Sequence, residues 1–434
     1  MLRVLYEYSL YLINNDSISN IIKVSLIAKQ IKIQLKFYLK RKKLHIKASN
    51  LYTLAKNISE LGCNYSLLKS ITDKKNTIQK PKIYGIDNYK YEVLKGNSFD
   101  VSIYFLENCN IFSKTSSIIF NRKLFNNYLN HIEPKYDFKN GLGQYITSFK
   151  NKEVILYRKV KYEQLNDEYI YIHLLHEHSG NYFHWLYEVM PKFILICESI
   201  KSNGEFCNKK IKILIDDLLP KQFLEIISIY SSIKLDYEIV KPNTFLKVKS
   251  LVYCTDLWLS LDNTMFVPNI VKEFFVDKQA VELIKNNLKV SKKSIKPFRK
   301  VYLERSKNQA RFIENNEEIR TYLIAQGFEC IKPEKFSFKE QVEIFNESEI
   351  VIGTSGAVFS NLTFMQKNTC AIIFSPNTIA SNYYIFQQMA DISGVELIHL
   401  LTDNSLSDSI HKSSTVNFED LKKILNSLNG EHFD

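Results

Sequence analysis

The stretch that decides how this chain folds is EIVIGTSGAVFSNL, residues 349–362. It predicts a short buried strand at 350–352, a turn containing Gly353 and Gly356, and a helix that begins near Ala357. The first N–H groups of a helix have no partner in the helix, and its dipole is positive there, so such a turn can bind an anion. The spacing is neither the dinucleotide fingerprint nor a P-loop, because no Lys follows the second glycine. The alternative is a plain connection between strand and helix.

The length and composition indicate a folded protein of two domains. The chain has 434 residues, of which 45% are hydrophobic and 24% charged, and a single core rarely extends over that length. Seven cysteines occur without a C-x-x-C pair, which favours the reducing cytoplasm. No secretory signal is evident at the first residues, and no window approaches 18 uncharged apolar residues.

Most of the positive charge lies in the first 50 residues. They contain ten Lys or Arg against two Asp or Glu, which is +8 of the formal net charge of +12. We expect residues 1–72 to form a basic helical extension. Two interpretations of its amphipathic part, residues 20–47, remain open: it binds an anionic membrane surface, or it packs on its own protein with a solvated lysine face. A nucleic-acid arm is less favoured, because no recognised nucleic-acid module follows it.

The pattern of the remaining chain predicts an α/β fold in two domains. Short β-rich runs dominate from about 80 to 180, and helices alternate with buried strands after 181, which indicates mainly parallel sheets covered on both faces. A Lys- and Ser-rich linker at 290–297 separates an expected domain at 73–292 from one at 293–434. Ser337 and Glu340 form a predicted capping box, and Asn315 marks another helix start.

Histidines are concentrated in HLLHEHSGNYFHWLYEVMP, residues 173–191. His184 and Glu188 are four residues apart on a predicted helix, beside its apolar stripe. An imidazole held by a carboxylate is a plausible general base for a sugar hydroxyl, and the alternative is a buried histidine satisfied by its helix neighbour. A metal site is the third possibility, using His173, His176 and His178, but no Cys or Asp lies nearby at a standard ligand spacing.

Two further sets of charged residues are candidates for substrate binding. Arg305 and Arg311 bracket a loop that leaves a predicted strand, where guanidinium groups can hold a diphosphate bidentately. Asp216 and Asp217, at a strand end, are a candidate carboxylate pair for a metal, although capping of the next helix is the more ordinary role.

Four motifs occur in one order along the chain: NYFHWLYEVMP at 181–191, LERSKNQARFIENNEE at 303–318, FSFKEQVEIF at 336–345 and VIGTSGAVFSNLTF at 351–364. Together they resemble glycosyltransferase family 61, the group that includes bacterial capsular-polysaccharide transferases. The resemblance covers about 170–400. It implies a GT-B-like architecture, with two Rossmann-like domains facing across a cleft, a nucleotide-sugar donor bound by the C-terminal domain, and metal-independent, inverting transfer.

The resemblance also implies roles for individual residues. His184 and Glu188 would face the acceptor as the catalytic residues, and a second group would bind the donor: Arg305, Arg311, Gln341, Gly353, Thr354, Ser355, Gly356, Ala357 and Asn361. Two departures from the family pattern concern the donor. Many members have His where Ser355 stands, and an acidic residue often follows the next strand, whereas this chain has Phe374-Ser375-Pro376.

The function expected from the sequence is an inverting glycosyltransferase that needs no metal or other cofactor. It would move a sugar from a nucleotide-sugar donor to an oligosaccharide or lipid-linked glycan acceptor of a bacterial surface polysaccharide, in the cytoplasm or peripherally on the inner face of the cytoplasmic membrane, without binding nucleic acid. One alternative is a metal-dependent transferase that uses Asp216 and Asp217. The other is a non-catalytic, membrane-associated interaction protein with a degenerate donor site.

Overall fold

A computed structural model gives the structure of this chain. The residues it describes are 51–71, 77–85, 91–95, 100–131, 146–150, 152–156, 160–230, 235–260, 274–276, 278–288, 296–307, 309–378, 381–403 and 411–430. The basic segment expected to bind lipid, residues 20–47, lies outside the described residues, as does most of the expected linker at 290–297.

The strands of the first half of the chain are β1 (Leu51–Ala55), β2 (Asn64–Ile71), β3 (Thr77–Ile78), β4 (Lys82–Tyr84), β5 (Leu94–Lys95), β6 (Val101–Phe112), β7 (Ile118–Phe120), β8 (Lys123–Phe125), β9 (Ile146–Lys150), β10 (Glu153–Leu156), β11 (Lys161–Gln164) and β12 (Tyr169–His173). Those that follow are β13 (Lys210–Asp216), β14 (Asp236–Val240), β15 (Thr244–Cys254), β16 (Trp258–Ser260), β17 (Phe274–Val276), β18 (Arg299–Leu303), β19 (Glu329–Ile331), β20 (Ser348–Thr354), β21 (Cys370–Pro376), β22 (Glu396–Asp403) and β23 (Thr415–Val416).

The α-helices are α1 (Asn127–His131), α2 (Tyr182–His184), α3 (Met190–Ser202), α4 (Lys221–Tyr230), α5 (Lys278–Asn287), α6 (Asn316–Ala325), α7 (Phe338–Glu347), α8 (Tyr384–Ser393) and α9 (Phe418–Gly430). A π-helical turn, Trp185–Val189, joins α2 to α3. The 3-10 helices are Ile58–Leu61, Gly204–Phe206, Pro333–Lys335 and Ala357–Phe364. The chain is therefore a mixed α/β protein, as its sequence predicts.

The chain divides into two compact units. The first unit comprises Met1–Asp73 and Phe99–Met265, and the second comprises Lys74–Ser98 and Phe266–Asp434. The sheet of the first unit has the order β14-β13-β12-β15-β6-β7-β8-β1-β10-β9, with β11 also paired to β15 and β2 to β6. Since β14, β13, β12 and β15 are parallel neighbours, their carboxyl ends meet at one edge of this sheet.

The second unit contains a parallel sheet with the order β19-β18-β20-β21-β22, extended by β23 and by β4, which both pair with β22. Numbered along the chain, its five consecutive parallel strands have the order 2-1-3-4-5. In such a sheet the strand order reverses between the first and third strands, here β18 and β20, and ligands bind at the carboxyl ends there. Every residue of β21 and nearly every residue of β20 is buried, as expected for strands covered on both faces.

Several boundaries expected from the sequence are corrected. The helical extension expected at 1–72 is wrong for residues 51–71, which form β1, a 3-10 helix and β2 in the sheet of the first unit. Residues 74–98 belong to the second unit, since β4 pairs with β22, and the division lies at 265–266, not at the expected 292–293.

No helix among the described residues is long and apolar enough to cross a membrane.

Gly353 allows β18 and β20 to approach each other closely. A Cβ on Gly353 would lie 2.9 Å from the Cβ of Leu303 and 3.2 Å from its carbonyl oxygen. We expect Gly353→Ala to destabilise the fold by about 1–3 kcal/mol, because overpacking forces neighbouring backbone to shift. The measurement is the midpoint of thermal unfolding. Gly204→Ala is the matched control, because its Cβ would meet nothing within 4 Å; equal melting temperatures for the two variants would contradict the assignment.

Candidate active site

The helix that carries His184 and Glu188 changes its winding at these two residues. Asn181 caps its start, and the side-chain oxygen accepts the N–H two residues further on at 2.9 Å. The α-helix then becomes the π-helical turn Trp185–Val189 before α3 begins. Pro191 has no N–H to donate to the carbonyl four residues earlier, which favours such a change of winding. Single π-helical turns within α-helices are frequent at functional sites.

A buried carboxylate joins two imidazoles at this turn. His184 Nδ1 lies 2.7 Å from Glu188 Oε2, and His176 Nε2 lies 3.2 Å from the same oxygen. The side chain of Glu188 is fully buried, whereas that of His184 remains 15% exposed. The His178 ring centroid lies 4.6 Å from that of His184. We name His176, His184 and Glu188 the histidine–glutamate cluster. It can hold the His184 ring in one orientation and leave part of that ring accessible.

The three histidines of the metal interpretation lie at the end of β12 and after it, because β12 ends at His173 and the residues that follow form a turn. Burial, followed by the charge of Lys192, lowers the pKa of His173 to about 3. Within the part of the chain that the structure describes, no group of three or more His, Cys, Asp or Glu is arranged to hold a metal ion.

Asp216 lies at the carboxyl end of β13 and is buried. Its Oδ1 accepts the backbone N–H of Lys114 at 2.9 Å, and its Oδ2 accepts that of His176 at 3.0 Å. Asp217 accepts the N–H of Leu218 at 2.8 Å. Because both oxygens of Asp216 hold backbone groups, this carboxylate ties the loop after β12 to the neighbouring strand. The helix α4 begins later, at Lys221, so neither aspartate is its immediate cap.

A buried ion pair lies near the same edge of the sheet and was not anticipated from the sequence. Lys192 Nζ is 2.7 Å from Asp256 Oδ1, and both side chains are almost fully buried. Burial alone would lower the pKa of Lys192, but the charge and hydrogen bond of Asp256 outweigh it and the pKa is raised. The second oxygen of Asp256 and the hydroxyl of Tyr253 are buried and have no hydrogen-bond partner among the described residues. Nothing in the spacing of these residues marks them as neighbours.

In the second unit, the glycine-bearing turn lies at the carboxyl end of β20, beside the end of β18. Thr354 is the last residue of β20 and is buried. The N–H of Ser355 donates to the carbonyl of Phe374 at 3.0 Å, so this amide is already used within the sheet. The first bond of the following 3-10 helix runs from Phe359 N–H to the Gly356 carbonyl at 3.0 Å. Ala357 is the first residue of this 3-10 helix, and the first N–H groups of a helix have no partner within the helix.

Arg305 and Arg311 both reach this turn. Arg311 Nη1 donates to the carbonyl of Ser355 at 2.7 Å, and Arg305 Nη2 donates to the same oxygen at 3.3 Å. Arg305 Nη1 also donates to the carbonyl of Ala310 at 2.8 Å. A Cβ on Gly356 would overlap the Arg305 guanidinium, so the glycine is required for this approach. We name Arg305 and Arg311 the arginine pair.

The arginine pair carries positive charge that no carboxylate of the described residues neutralises by direct contact. Neither guanidinium forms an ion pair with a described Asp or Glu, and Glu334 acts on Arg305 only at longer range. Burial lowers the pKa of Arg305, and burial together with the neighbouring Arg305 lowers the pKa of Arg311 to about 10. Arg311 Nε is buried and has no hydrogen-bond partner within the described ranges. Such a partly desolvated cationic pair is typical of a site for an anion.

The backbone of Arg311 is held in an uncommon conformation. Its φ is +63°, a left-handed value that costs a non-glycine residue roughly 1–2 kcal/mol. Its N–H donates to the carbonyl of His411 at 3.2 Å, and Nη2 lies 3.5 Å from His411 Nδ1. Strained backbone of this kind is concentrated at functional sites. His411 was not anticipated, because it lies 100 residues further along the chain.

Gln341 and Asn361 bind each other. Asn361 Nδ2 donates to Gln341 Oε1 at 3.1 Å, and Gln341 Nε2 donates to the carbonyls of Pro333 and Phe336 at 3.1 and 3.2 Å. Asn361 is fully buried in the 3-10 helix Ala357–Phe364. These bonds connect α7 and the loop before it to the helix that follows the turn, so the two amides hold the wall of the turn in place.

Comparison with known proteins identifies the domain. Residues 182–372 match the family model of glycosyltransferase 61, a range that includes His184, Glu188, the arginine pair and the turn at 353–356. No curated protein matches the chain.

Among solved structures, the bacterial iron-containing dodecameric glycosyltransferase TibC from enterotoxigenic E. coli H10407 is similar over 73% of this chain and 84% of its own, with 11% sequence identity and a TM-score of 0.26. The family match alone gives the assignment: residues 182–372 match glycosyltransferase family 61, and this chain is a glycosyltransferase.

Proposed function

We propose that this glycosyltransferase is inverting and metal-independent and moves a sugar from a nucleotide-sugar donor to a growing bacterial surface polysaccharide, such as capsule or O-antigen. The observation that carries the proposal is the unneutralised arginine pair at the switch point of the second sheet. The leaving group of nucleotide-sugar transfer is a phosphate or diphosphate, and its negative charge develops as the bond to the sugar breaks.

The donor chemistry follows from the remaining hydrogen-bonding capacity of the arginine pair. A guanidinium has five N–H donors in a planar fork, and here the two groups share the carbonyl of Ser355, which carries only a partial charge. A diphosphate offers full negative charges and several oxygens to the remaining donors. Fixed positive groups at the developing charge stabilise a transition state without reorganisation, so the proposal requires no metal ion.

The acceptor chemistry follows from the histidine–glutamate cluster. In the proposed step, His184 Nε2 takes the proton of an acceptor hydroxyl, and the resulting oxygen attacks the anomeric carbon from the face opposite the diphosphate. The bond from that carbon to the diphosphate oxygen breaks, and the diphosphate leaves with the electron pair. The proton remains on His184, where Glu188 balances its charge. A single displacement of this kind inverts the anomeric configuration.

The proposal includes the GT-B arrangement implied by the family resemblance, with the second unit as the donor domain and the first as the acceptor domain. It is supported by the parallel strands of each sheet, whose carboxyl ends carry the two candidate sets of residues. We further propose that the enzyme acts in the cytoplasm on oligosaccharide or lipid-linked acceptors, and that residues 20–47 contact the anionic inner face of the membrane.

Removal of either arginine should weaken nucleotide binding. We expect Arg305→Ala and Arg311→Ala each to lower the affinity for the best-binding nucleoside diphosphate about 10- to 100-fold, since each loses charge-assisted hydrogen bonds of about 1.5–3 kcal/mol. The measurement is calorimetric titration with UDP, GDP, CDP, ADP and dTDP. The control is Arg299→Ala, an arginine at the amino end of β18 that is paired with Glu329 and Glu347. Equal losses in all three variants, or none, would contradict the donor site and favour the non-catalytic alternative.

Removal of the proposed base should affect turnover and not donor binding. We expect His184→Ala to lower kcat about 10²- to 10⁴-fold, the usual contribution of a general base, and to leave nucleoside diphosphate affinity unchanged. The measurement is release of nucleoside diphosphate from the donor that most raises the melting temperature, with octyl glycosides as acceptors. The control is Lys201→Ala, a change at an exposed residue near the end of α3. A kcat that is equal in the His184 and Lys201 variants would refute the assignment.

The metal-dependent alternative predicts a different response to chelation. We expect turnover to be unchanged in excess EDTA and in Asp217→Ala, because the proposed stabilisation of the diphosphate comes from guanidinium groups. A rate that falls in EDTA and recovers on addition of Mg²⁺ or Mn²⁺ would support the alternative that uses Asp216 and Asp217.

A further inference from the structure

We infer that His176 is a positioning residue that holds Glu188 for His184, an inference that rests on the proposed function of His184 as the base. The sequence offered His176 only as a metal ligand. In the structure, Glu188 Oε2 is 2.7 Å from His184 Nδ1 and 3.2 Å from His176 Nε2. One oxygen of a fully buried carboxylate therefore lies close to both imidazoles.

The hydrogen bonds at His176 fix which of its ring nitrogens carries the proton. The backbone N–H of His178 donates to His176 Nδ1 at 3.2 Å, so Nδ1 is an acceptor. In a neutral imidazole the other nitrogen then carries the proton, so Nε2–H lies toward Glu188 Oε2, which is 3.2 Å away. Burial, and after it the charge of Lys192, lowers the pKa of His176 well below its usual value, which keeps this ring neutral and preserves its acceptor nitrogen.

The main chain of His176 is also anchored. Its N–H donates to Asp216 Oδ2 at 3.0 Å, while Asp216 Oδ1 holds the N–H of Lys114. Asp216 lies at the end of β13, so the residue whose ring contacts Glu188 is bonded directly to the edge of the first sheet. The Glu188 side chain projects from the π-helical turn Trp185–Val189.

The consequence concerns the proton on His184. A carboxylate oxygen accepts only from a protonated nitrogen, so a neutral His184 ring beside Glu188 carries its proton on Nδ1 and has the lone pair on Nε2. A neutral imidazole can carry its proton on either nitrogen, and the protein must select one of the two forms. With the Nε2–H of His176 beside the same oxygen, the Glu188 carboxylate is held toward His184, and the selected tautomer is the one that a base requires.

The first arm of the test needs no substrate. Long-range ¹H–¹⁵N correlation spectra of the full-length protein labelled with ¹⁵N-histidine, recorded at pH 8 and assigned with single His→Gln variants, report the tautomer of each ring. We expect an Nε2–H tautomer at His176 and an Nδ1–H tautomer at His184. His176→Gln should keep the His184 tautomer, because a glutamine amide can donate from the same position, and His176→Leu should give a mixture. The opposite tautomer at either ring in the unmodified protein would overturn the inference.

The second arm measures turnover. We expect His176→Leu to lower kcat about 10- to 100-fold, which is the range found for groups that orient metal-ligating histidines, and to leave the KM for the donor unchanged. We expect the kcat of His176→Gln to stay within about 3-fold of that of the unmodified enzyme. The control is His173→Leu, a buried histidine three residues earlier, and thermal unfolding verifies the fold of each variant. Equal effects of Leu and Gln at position 176, or a loss shared by His173→Leu, would overturn the positioning role.

The two arms separate the inference from the proposed function. The expected tautomers combined with full turnover in His184→Ala would refute His184 as the base, and with it the positioning role of His176, while the hydrogen bonds would stand. If His176→Leu does not fold, the unmodified protein and His176→Gln still decide the first arm.

Discussion

The constraint on which the second unit depends is the partial burial of two positive charges without a described carboxylate in contact with them. Desolvating a cation is costly, and proteins usually compensate it with an ion pair. Here Arg305 and Arg311 share one backbone carbonyl. Three features make this arrangement possible. Position 356 is a glycine, and Arg311 takes a left-handed backbone conformation. Strands β18 and β20 also approach each other closely at Gly353. In the proposed function, the negative charge of the substrate compensates the positive charges of Arg305 and Arg311.

The first unit instead buries carboxyl groups and surrounds them with hydrogen-bonding groups of its own residues. Glu188 lies between two imidazoles, and Glu177 nearby accepts from the backbone and hydroxyl of Ser116 and from Asn126 Nδ2 at 2.8 Å. Hydrogen bonds of this kind stabilise a carboxylate in a dry environment. The second unit thus has two arginines without a described carboxylate in contact with them. The first unit has a histidine, His184, that contacts a carboxylate of the same unit.

The features that could be predicted from the sequence are those that depend on residues close together along the chain. The capping box at Ser337 and Glu340 is confirmed, with both reciprocal hydrogen bonds formed, because it depends on four consecutive residues. The strand–turn–helix order around Gly353 is confirmed in outline, although the helix is 3-10. Asn315 instead exchanges two hydrogen bonds with the backbone of Val416 and does not cap α6 with its side chain. Its partner is 101 residues away, beyond the reach of a local rule.

Distance along the chain also separates the site residues that could be predicted from those that could not. His184 and Glu188 are helix neighbours, and the helical period places them together. The contacts of His176 to Glu188 and of Arg311 to His411 arise from loops whose course the period does not describe. The strands at 51–71 were missed because lysine-rich amphipathic runs before them suggested that the helix continued, whereas pairing with β6, β8 and β10 decided their conformation.

The position of β4 has a consequence for synthesis of the chain. This strand pairs with β22, and Lys82 contacts Glu396 across 314 residues. During translation β4 therefore emerges long before its partner, and most of the first unit is made between them. Closure of so long a loop is slow compared with local folding. A fragment that starts after residue 265 would expose one edge of β22 as an unpaired template for aggregation, so a soluble form of the second unit should be expressed with residues 74–98 fused to it.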